Sequence, residues 1–182
     1  MNWETYLEGF ELILNAEKPT APYDSAEYID YTKLNYTRLK RWLKTAILSD
    51  ETKAIIGAIN KPQHWTVITE HWCGDAAHIV PILYLMSSLN DNIHFTIQLR
   101  DTDSEIDKYL TNGSKAIPIL IVRDALHNDL FHWGPRPFNA QELFKTLKEK
   151  DASLEEIKEA IQVFYNNDKA EGIQKEVTAL LK

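Results

Sequence analysis

One short stretch decides how this chain is interpreted: Thr69-Glu70-His71-Trp72-Cys73-Gly74-Asp75-Ala76. Before it, His64–Thr69 is rich in β-branched and aromatic residues and predicts a strand, and after it Ala76–Leu89 has helical spacing. A helix N-terminus presents unpaired N–H groups and a partial positive charge, which stabilise a thiolate relative to a thiol. Cys73 therefore stands where a cysteine can become a nucleophile.

The rest of the chain alternates between helical and strand patterns. Apolar residues predict helices over 3–15, from Ser25 onward, and over 50–59, 76–89, 103–110, 139–150, 153–166 and 168–181. Short β-branched runs predict strands over 64–69, 93–99, 117–122 and 126–133. Pro81 falls inside its helix and should kink it, while Asn139 is a candidate N-cap.

The order of these elements predicts an α/β fold. A helix between the first strands favours parallel pairing, and the last two strands favour a hairpin. The flanking helices have apolar faces that need a partner, so we expect them on the central sheet. The chain would then be a single domain, with a helical extension over 1–61, a core over 62–150 and a second extension over 151–182.

Composition and charge exclude several classes of protein. Hydrophobic residues make up 44% and charged residues 26%, which are ordinary globular values, and the net charge of −7 argues against general affinity for nucleic acid or anionic membranes. The six glycines are scattered, which excludes a dinucleotide fingerprint and a P-loop. Apolar runs are short and the N-terminus lacks a signal layout, so a cytoplasmic protein is expected.

Two further patterns have competing interpretations. His71, Cys73, Asp75 and His78 lie within eight residues and are all plausible zinc ligands, but four such neighbours need a sharp local geometry, and we predict no metal. A basic stretch over 33–44 includes Arg38 and Arg41. It lies on an amphipathic helix of an acidic chain, which favours a solvated face over a nucleic-acid site.

The stretch around Cys73 resembles the thioredoxin superfamily. Trp72-Cys73-Gly74 matches the family's Trp-Cys-Gly-Pro-Cys box, Pro81 matches its helix proline, and Ile117-Pro118, 45 residues after the cysteine, matches its cis-proline. The resemblance covers about residues 62–150 and implies a thioredoxin-like sandwich with a mixed sheet of about four strands. The Gly74-Asp75 variant, the stretch 133–137 and the added helices look like a bacterial branch of thioredoxin family proteins.

The departures from the family pattern concern the dithiol apparatus. Ala76 replaces the second cysteine, which in the family resolves the mixed disulfide. Val67 stands where the family has a buried acid, and Asp75 replaces the box proline. Asp75 should raise the thiol pKa, whereas the helix N-terminus, or a protonated His71 or His78, should lower it. The sequence leaves that balance open.

Two functions fit these residues. The first is a monothiol oxidoreductase in which Cys73, expected to be exposed, exchanges disulfides with a protein or a low-molecular-weight thiol, and an external thiol resolves the product. Trp72, Gly74, Asp75, Ala76, Ile117 and Pro118 would shape its groove, and His71 and His78 would tune it. The second is a non-catalytic peptide- or protein-binding module with a degenerate site. Neither needs a cofactor, and neither is a self-sufficient dithiol reductase. Arg136, between two prolines, is either an anion-holding residue or a surface arginine.

Overall fold

The computed structural model describes residues 1–182 and contains seven α-helices and four β-strands. The helices are α1 (Trp3–Leu14), α2 (Ala26–Thr45), α3 (Asp50–Gly57), α4 (Ala76–Ser87), α5 (Phe138–Glu149), α6 (Leu154–Asp168) and α7 (Glu171–Leu180). The strands are β1 (Gln63–Thr69), β2 (Ile93–Leu99), β3 (Ile119–Arg123) and β4 (Asp129–Trp133). None of the helices combines the length and the apolar character that a membrane crossing requires.

The four strands form one mixed sheet in the order β2-β1-β3-β4. β1 runs parallel to β2 and antiparallel to β3, and β3 and β4 form an antiparallel hairpin. Val67, at the centre of β1, pairs with Ile97 on one side and Leu120 on the other, and all three side chains are fully buried. The predicted α/β class and the mixed sheet of about four strands are confirmed.

Two predicted helix boundaries are wrong. The helix expected over 103–110 is only a 3₁₀ turn, Ile106–Lys108. Contacts to neighbouring strands hold this segment, since the Glu105 N–H donates to the Gln98 side chain at 3.0 Å and the Glu105 carboxylate pairs with Arg123 at 3.0 Å. Asn139 is not the N-cap of α5, which begins one residue earlier at Phe138. The free N–H of Phe138 donates instead to the Glu176 carboxylate of α7, so a distant acid caps this helix.

The flanking helices surround α4 more than they cover the sheet. Trp42 of α2 donates its indole N–H to His78 of α4 at 2.9 Å, and Trp3 of α1 stacks on Tyr84 of α4 with ring centroids 4.1 Å apart. Side chains from these helices and from α6 and α7 join the buried cluster that also contains the sheet. The expected position on the sheet holds best for α1, which lies against β2.

One glycine, Gly134, allows the loop after β4 to lie close against the loop before β3. Gly134 has φ +129°, and a Cβ there would collide with the carbonyl oxygen of Pro118. Only glycine allows both the backbone angle and the close approach. This contact brings the segment that carries Arg136 next to the Ile117–Pro118 loop, and both belong to the candidate site.

Candidate functional site

Cys73 lies just before α4, at the end of the sheet where β1 ends. Its Sγ donates a hydrogen bond to the carbonyl oxygen of Ile117 at 3.5 Å, and the Ile117–Pro118 peptide bond is cis. Cys73 is only 6% exposed and Ile117 is equally buried. The expected exposure of the thiol is therefore wrong, because Cys73 belongs to the buried cluster that also contains side chains of α2 and α6.

The environment of the sulfur keeps it protonated. Burial, and then the negative charge of Asp75, raise the pKa of the Cys73 thiol to about 12. The backbone N–H groups of Ala76 and Asp75 and the charge of Arg136 act in the opposite direction and lower the pKa. The predicted helix effect is thus present, but desolvation and the neighbouring carboxylate outweigh it.

Asp75 is held by two side chains that lie far away in the sequence. Arg136 Nη2 contacts Asp75 Oδ2 at 2.6 Å, with only 16% of the arginine and 11% of the aspartate side chain exposed. Tyr165 of α6 donates its hydroxyl proton to Asp75 Oδ1 at 2.8 Å. Arg136 is therefore the partner of Asp75 rather than a surface residue. Nothing in the local pattern around Tyr165 pointed to this role.

Both histidines of the predicted site are neutral structural residues at neutral pH. His71 is buried between Tyr6 and Phe10, its Nε2 lies 3.0 Å from the carbonyl oxygen of Tyr6, and burial lowers its pKa to about 4. His78 Nδ1 accepts from Trp42, so Nε2 carries the proton and donates to Gln162 Oε1 at 3.1 Å. Burial lowers its pKa to about 3. Neither can supply the positive charge that would offset Asp75.

The structure does not bring the four candidate metal ligands together. His71 points toward α1, His78 toward α2 and α6, and Asp75 toward Arg136 and Tyr165. No group of three or more His, Cys, Asp or Glu side chains is arranged to hold a metal ion.

The remaining box residues, Trp72, Gly74 and Ala76, differ in their burial and in their contacts. Trp72 is half-buried, with the guanidinium of Arg100 4.7 Å above its ring and Tyr28 at its edge. Ala76 is the first residue of α4 and is 1% exposed. Gly74 has free space where a Cβ would lie, so the local packing would accept a side chain at this position.

A cleft of about 720 Å³ opens beside Cys73, between α2 and α6. Its walls include Tyr28, Tyr31 and Leu34 of α2, and Ile157, Ile161 and Tyr165 of α6. Trp72, Cys73 and Ile117 lie along the side formed by the central fold, together with the ion pair of Asp75 and Arg136. Sequence reasoning missed this cleft, because its two helices are separated by more than a hundred residues of chain.

Arg38 also lines the cleft. It therefore does not belong to the solvated face that is predicted for its basic stretch. Its side chain is partly buried, whereas its neighbours Lys40 and Arg41 are exposed. Burial lowers the pKa of its guanidinium.

Comparisons with known proteins concern the family and the fold. A family model described as Thioredoxin matches residues 21–163. A protein of unknown function from Pseudomonas aeruginosa has a TM-score of 0.60 at 16% identity, covering 99% of this chain and 90% of that chain. A designed HIV epitope scaffold also has a TM-score of 0.60, at 17% identity, covering 100% and 98% of the two chains. A search of curated proteins finds no match.

Proposed function

Since the chain belongs to the thioredoxin family, we propose that it is a binding module on a thioredoxin fold, whose cleft beside Cys73 holds a partner without dithiol chemistry. The observation that carries this proposal is the state of the thiol. Cys73 is 6% exposed and its pKa is raised to about 12 by burial and by Asp75. Reactive cysteines lie in electropositive, partly exposed surroundings, and buried protonated ones are inert.

Two of the three departures from the family apparatus support the same function. Ala76 stands three residues after Cys73 and has no sulfur with which to resolve a mixed disulfide. Val67 is fully buried within β1, so the position of the family's buried acid has no proton to give or take. A cycle of disulfide reduction cannot be completed within this chain.

The cleft has the size and lining of a binding site. Its volume of about 720 Å³ lies within the range of about 300–1,000 Å³ that is typical of small-molecule pockets. About half of its lining residues are apolar or aromatic, and eight are charged. The carbonyl oxygen of Ile117 already accepts the Cys73 thiol, which favours a partner in the cleft over a peptide strand paired with that carbonyl.

Monothiol exchange is a second candidate, favoured by the groups around the sulfur. The N–H groups of Asp75 and Ala76 and the charge of Arg136 would stabilise a thiolate once the sulfur became accessible. The thiolate, its proton lost to solvent, would attack a disulfide, form a new S–S bond and expel the other sulfur with its electron pair. An external thiolate would then attack the mixed disulfide and return Cys73 to its reduced form.

The alkylation rate of Cys73 distinguishes these two functions. We expect the rate with iodoacetamide, measured from about pH 6 to about pH 10, to keep rising without a plateau in the native protein. The urea-unfolded chain provides the control and should follow the free-cysteine pKa of about 8.5. A native profile that levels off below that value, or a mixed disulfide formed with oxidised glutathione at pH 7, would establish exchange instead. Cys73→Ser gives the background of both measurements.

A further inference from the structure

The cleft contains four cationic side chains, and three of them have a carboxylate partner. Arg100 pairs with Asp101 at 2.7 Å, Arg136 with Asp75 at 2.6 Å and Lys158 with Glu155 at 3.0 Å. Arg38 is the exception, because no carboxylate oxygen comes within 4.0 Å of its guanidinium. Its one hydrogen bond is from Nη1 to the amide oxygen of Asn35 at 3.3 Å.

The surroundings of Arg38 hold the guanidinium in place without neutralising it. Asn35, one turn earlier on α2, is fully buried and donates to the carbonyl oxygen of His71. His78 lies near enough for the charge of Arg38 to help lower its pKa, so this histidine is neutral and adds no charge. Glu27 and Glu159 also line the cleft, but neither pairs with Arg38. A partly desolvated cation without a counter-charge favours an anion from outside the chain.

The walls on either side of Arg38 determine what kind of anion fits. Tyr28, Tyr31 and Leu34 present apolar surface from α2, and Ile157 and Ile161 face them from α6. An inorganic anion would leave this surface in contact with water, whereas an apolar or aromatic body would cover it.

We propose that the cleft binds a small organic acid, with its anionic group paired to Arg38 and its apolar body between α2 and α6. This inference rests on the proposed binding function and names its ligand class. Arg38 supplies a fork of N–H donors that can bind a carboxylate or sulfonate in two places. The cleft places the body of such a ligand beside Trp72 and Cys73.

The test uses two fluorescent probes that share one apolar body. 8-Anilinonaphthalene-1-sulfonate carries an anionic group, and N-phenyl-1-naphthylamine is the same body without it. We expect the native protein to bind the sulfonate at least about ten-fold more tightly than the amine, the size of a charge-assisted hydrogen bond. Arg38→Gln should weaken the sulfonate by about ten-fold and leave the amine unchanged.

Arg41→Gln is the matched control, because Arg41 lies on the same helix, also lacks a carboxylate partner, and is exposed outside the cleft. It should bind both probes like the native protein. Arg38→Lys, which keeps the charge but loses the fork, should fall between the native protein and Arg38→Gln. Near-UV circular dichroism of each variant verifies the native fold, since the sulfonate also binds loosened chains.

The outcomes separate this inference from the function on which it rests. Equal affinity for both probes in the native protein and in Arg38→Gln would overturn the anion site and leave a binding cleft. Binding of neither probe would overturn both proposals.

Discussion

Tyr165 of α6 donates a hydrogen bond to Asp75, two residues after Cys73, across 2.8 Å. Tyr165 is 1% exposed, and its aromatic ring also stacks on His78 with centroids 4.4 Å apart. A helix near the C-terminus thereby fixes the acid beside the single cysteine. The site of this protein is consequently built from both ends of the chain as well as from its centre.

Tyr165→Phe tests how much this bond contributes. The phenylalanine keeps the ring but removes the donor to a largely buried carboxylate, so we expect the free energy of unfolding to fall by about 1.5–3 kcal/mol. Urea denaturation measures the change. Tyr28→Phe is the control, because Tyr28 lines the same cleft without such a bond, and it should change stability by less than about 0.5 kcal/mol. Equal effects of the two substitutions would contradict the assignment.

Asp75→Asn tests which charge controls the sulfur. Removing the carboxylate removes the second-largest cause of the raised pKa, so the pH profile of Cys73 alkylation should move to lower pH. At a fixed pH well below the pKa, the thiolate fraction rises about ten-fold each time the pKa falls by one. Arg136→Gln breaks the same ion pair and should move the profile the other way, because Arg136 lowers the pKa of Cys73. Movement of both profiles in the same direction would mean that loosened packing, not charge, sets the reactivity.

Ala76→Cys tests whether the fold still accepts the missing half of the apparatus. Ala76 begins α4, three residues after Cys73. The Ala77 N–H donates to the Cys73 carbonyl oxygen at 3.3 Å, so positions 73 and 76 lie on the same helical turn. We expect the variant to form an intrachain disulfide on oxidation and to accelerate reduction of insulin by dithiothreitol, which the native chain should not do. Ala76→Ser, similar in size, and the double variant with Cys73→Ser should both be inactive. Failure to form the disulfide would show that the site has lost its thioredoxin geometry as well as its cysteine.

The two buried histidines predict that the protein loses stability in acid. Their pKa values are lowered in the folded state to about 4 for His71 and about 3 for His78, below about 6.5 in the unfolded chain. The unfolded state therefore binds more protons as the pH falls below 6.5, and stability is lost progressively toward pH 3. Between pH 7 and pH 5, each histidine should lower the free energy of unfolding by about 2 kcal/mol, which urea denaturation measures.

His78→Gln should remove the contribution of one histidine from the pH dependence of the free energy of unfolding, even if it lowers stability at pH 7. The exposed His132 offers the control, and His132→Gln should leave the slope unchanged. A slope that does not respond to the loss of His78 would assign the acid sensitivity to other groups.

The sequence predicts the parts of this fold that local patterns encode. The β-branched runs of β1 and β2 and the helical spacing of α4 are local, and the box with its two prolines identifies the family. The 3₁₀ turn at Ile106 was not predicted, because contacts to Gln98 of β2 and Arg123 of β3 hold this segment. The burial of Cys73 was not predicted for a similar reason, since the buried cluster to which it belongs includes side chains of α2 and α6.

The charge balance at the sulfur also depends on long-range packing. The sequence indicates that Asp75 and the helix N-terminus shift the pKa of Cys73 in opposite directions. It does not give the size of these effects or of desolvation, because desolvation depends on what surrounds a group in space. His71 and His78 looked like tuning residues by proximity along the chain. In the fold they face α1, α2 and α6, and their burial excludes the charge on which that role depended.

The position of the cleft limits how far this protein can be truncated without losing the site. The core predicted from the sequence covers only residues 62–150, whereas one wall of the cleft comes from α2 and the other from α6. The family match over residues 21–163 includes α2 and most of α6. A fragment trimmed to residues 62–150 would keep Cys73, Asp75 and Arg136 but lose Arg38 and Tyr165, and with them both helical walls of the cleft. Ligand binding by this protein therefore has to be measured on the full chain.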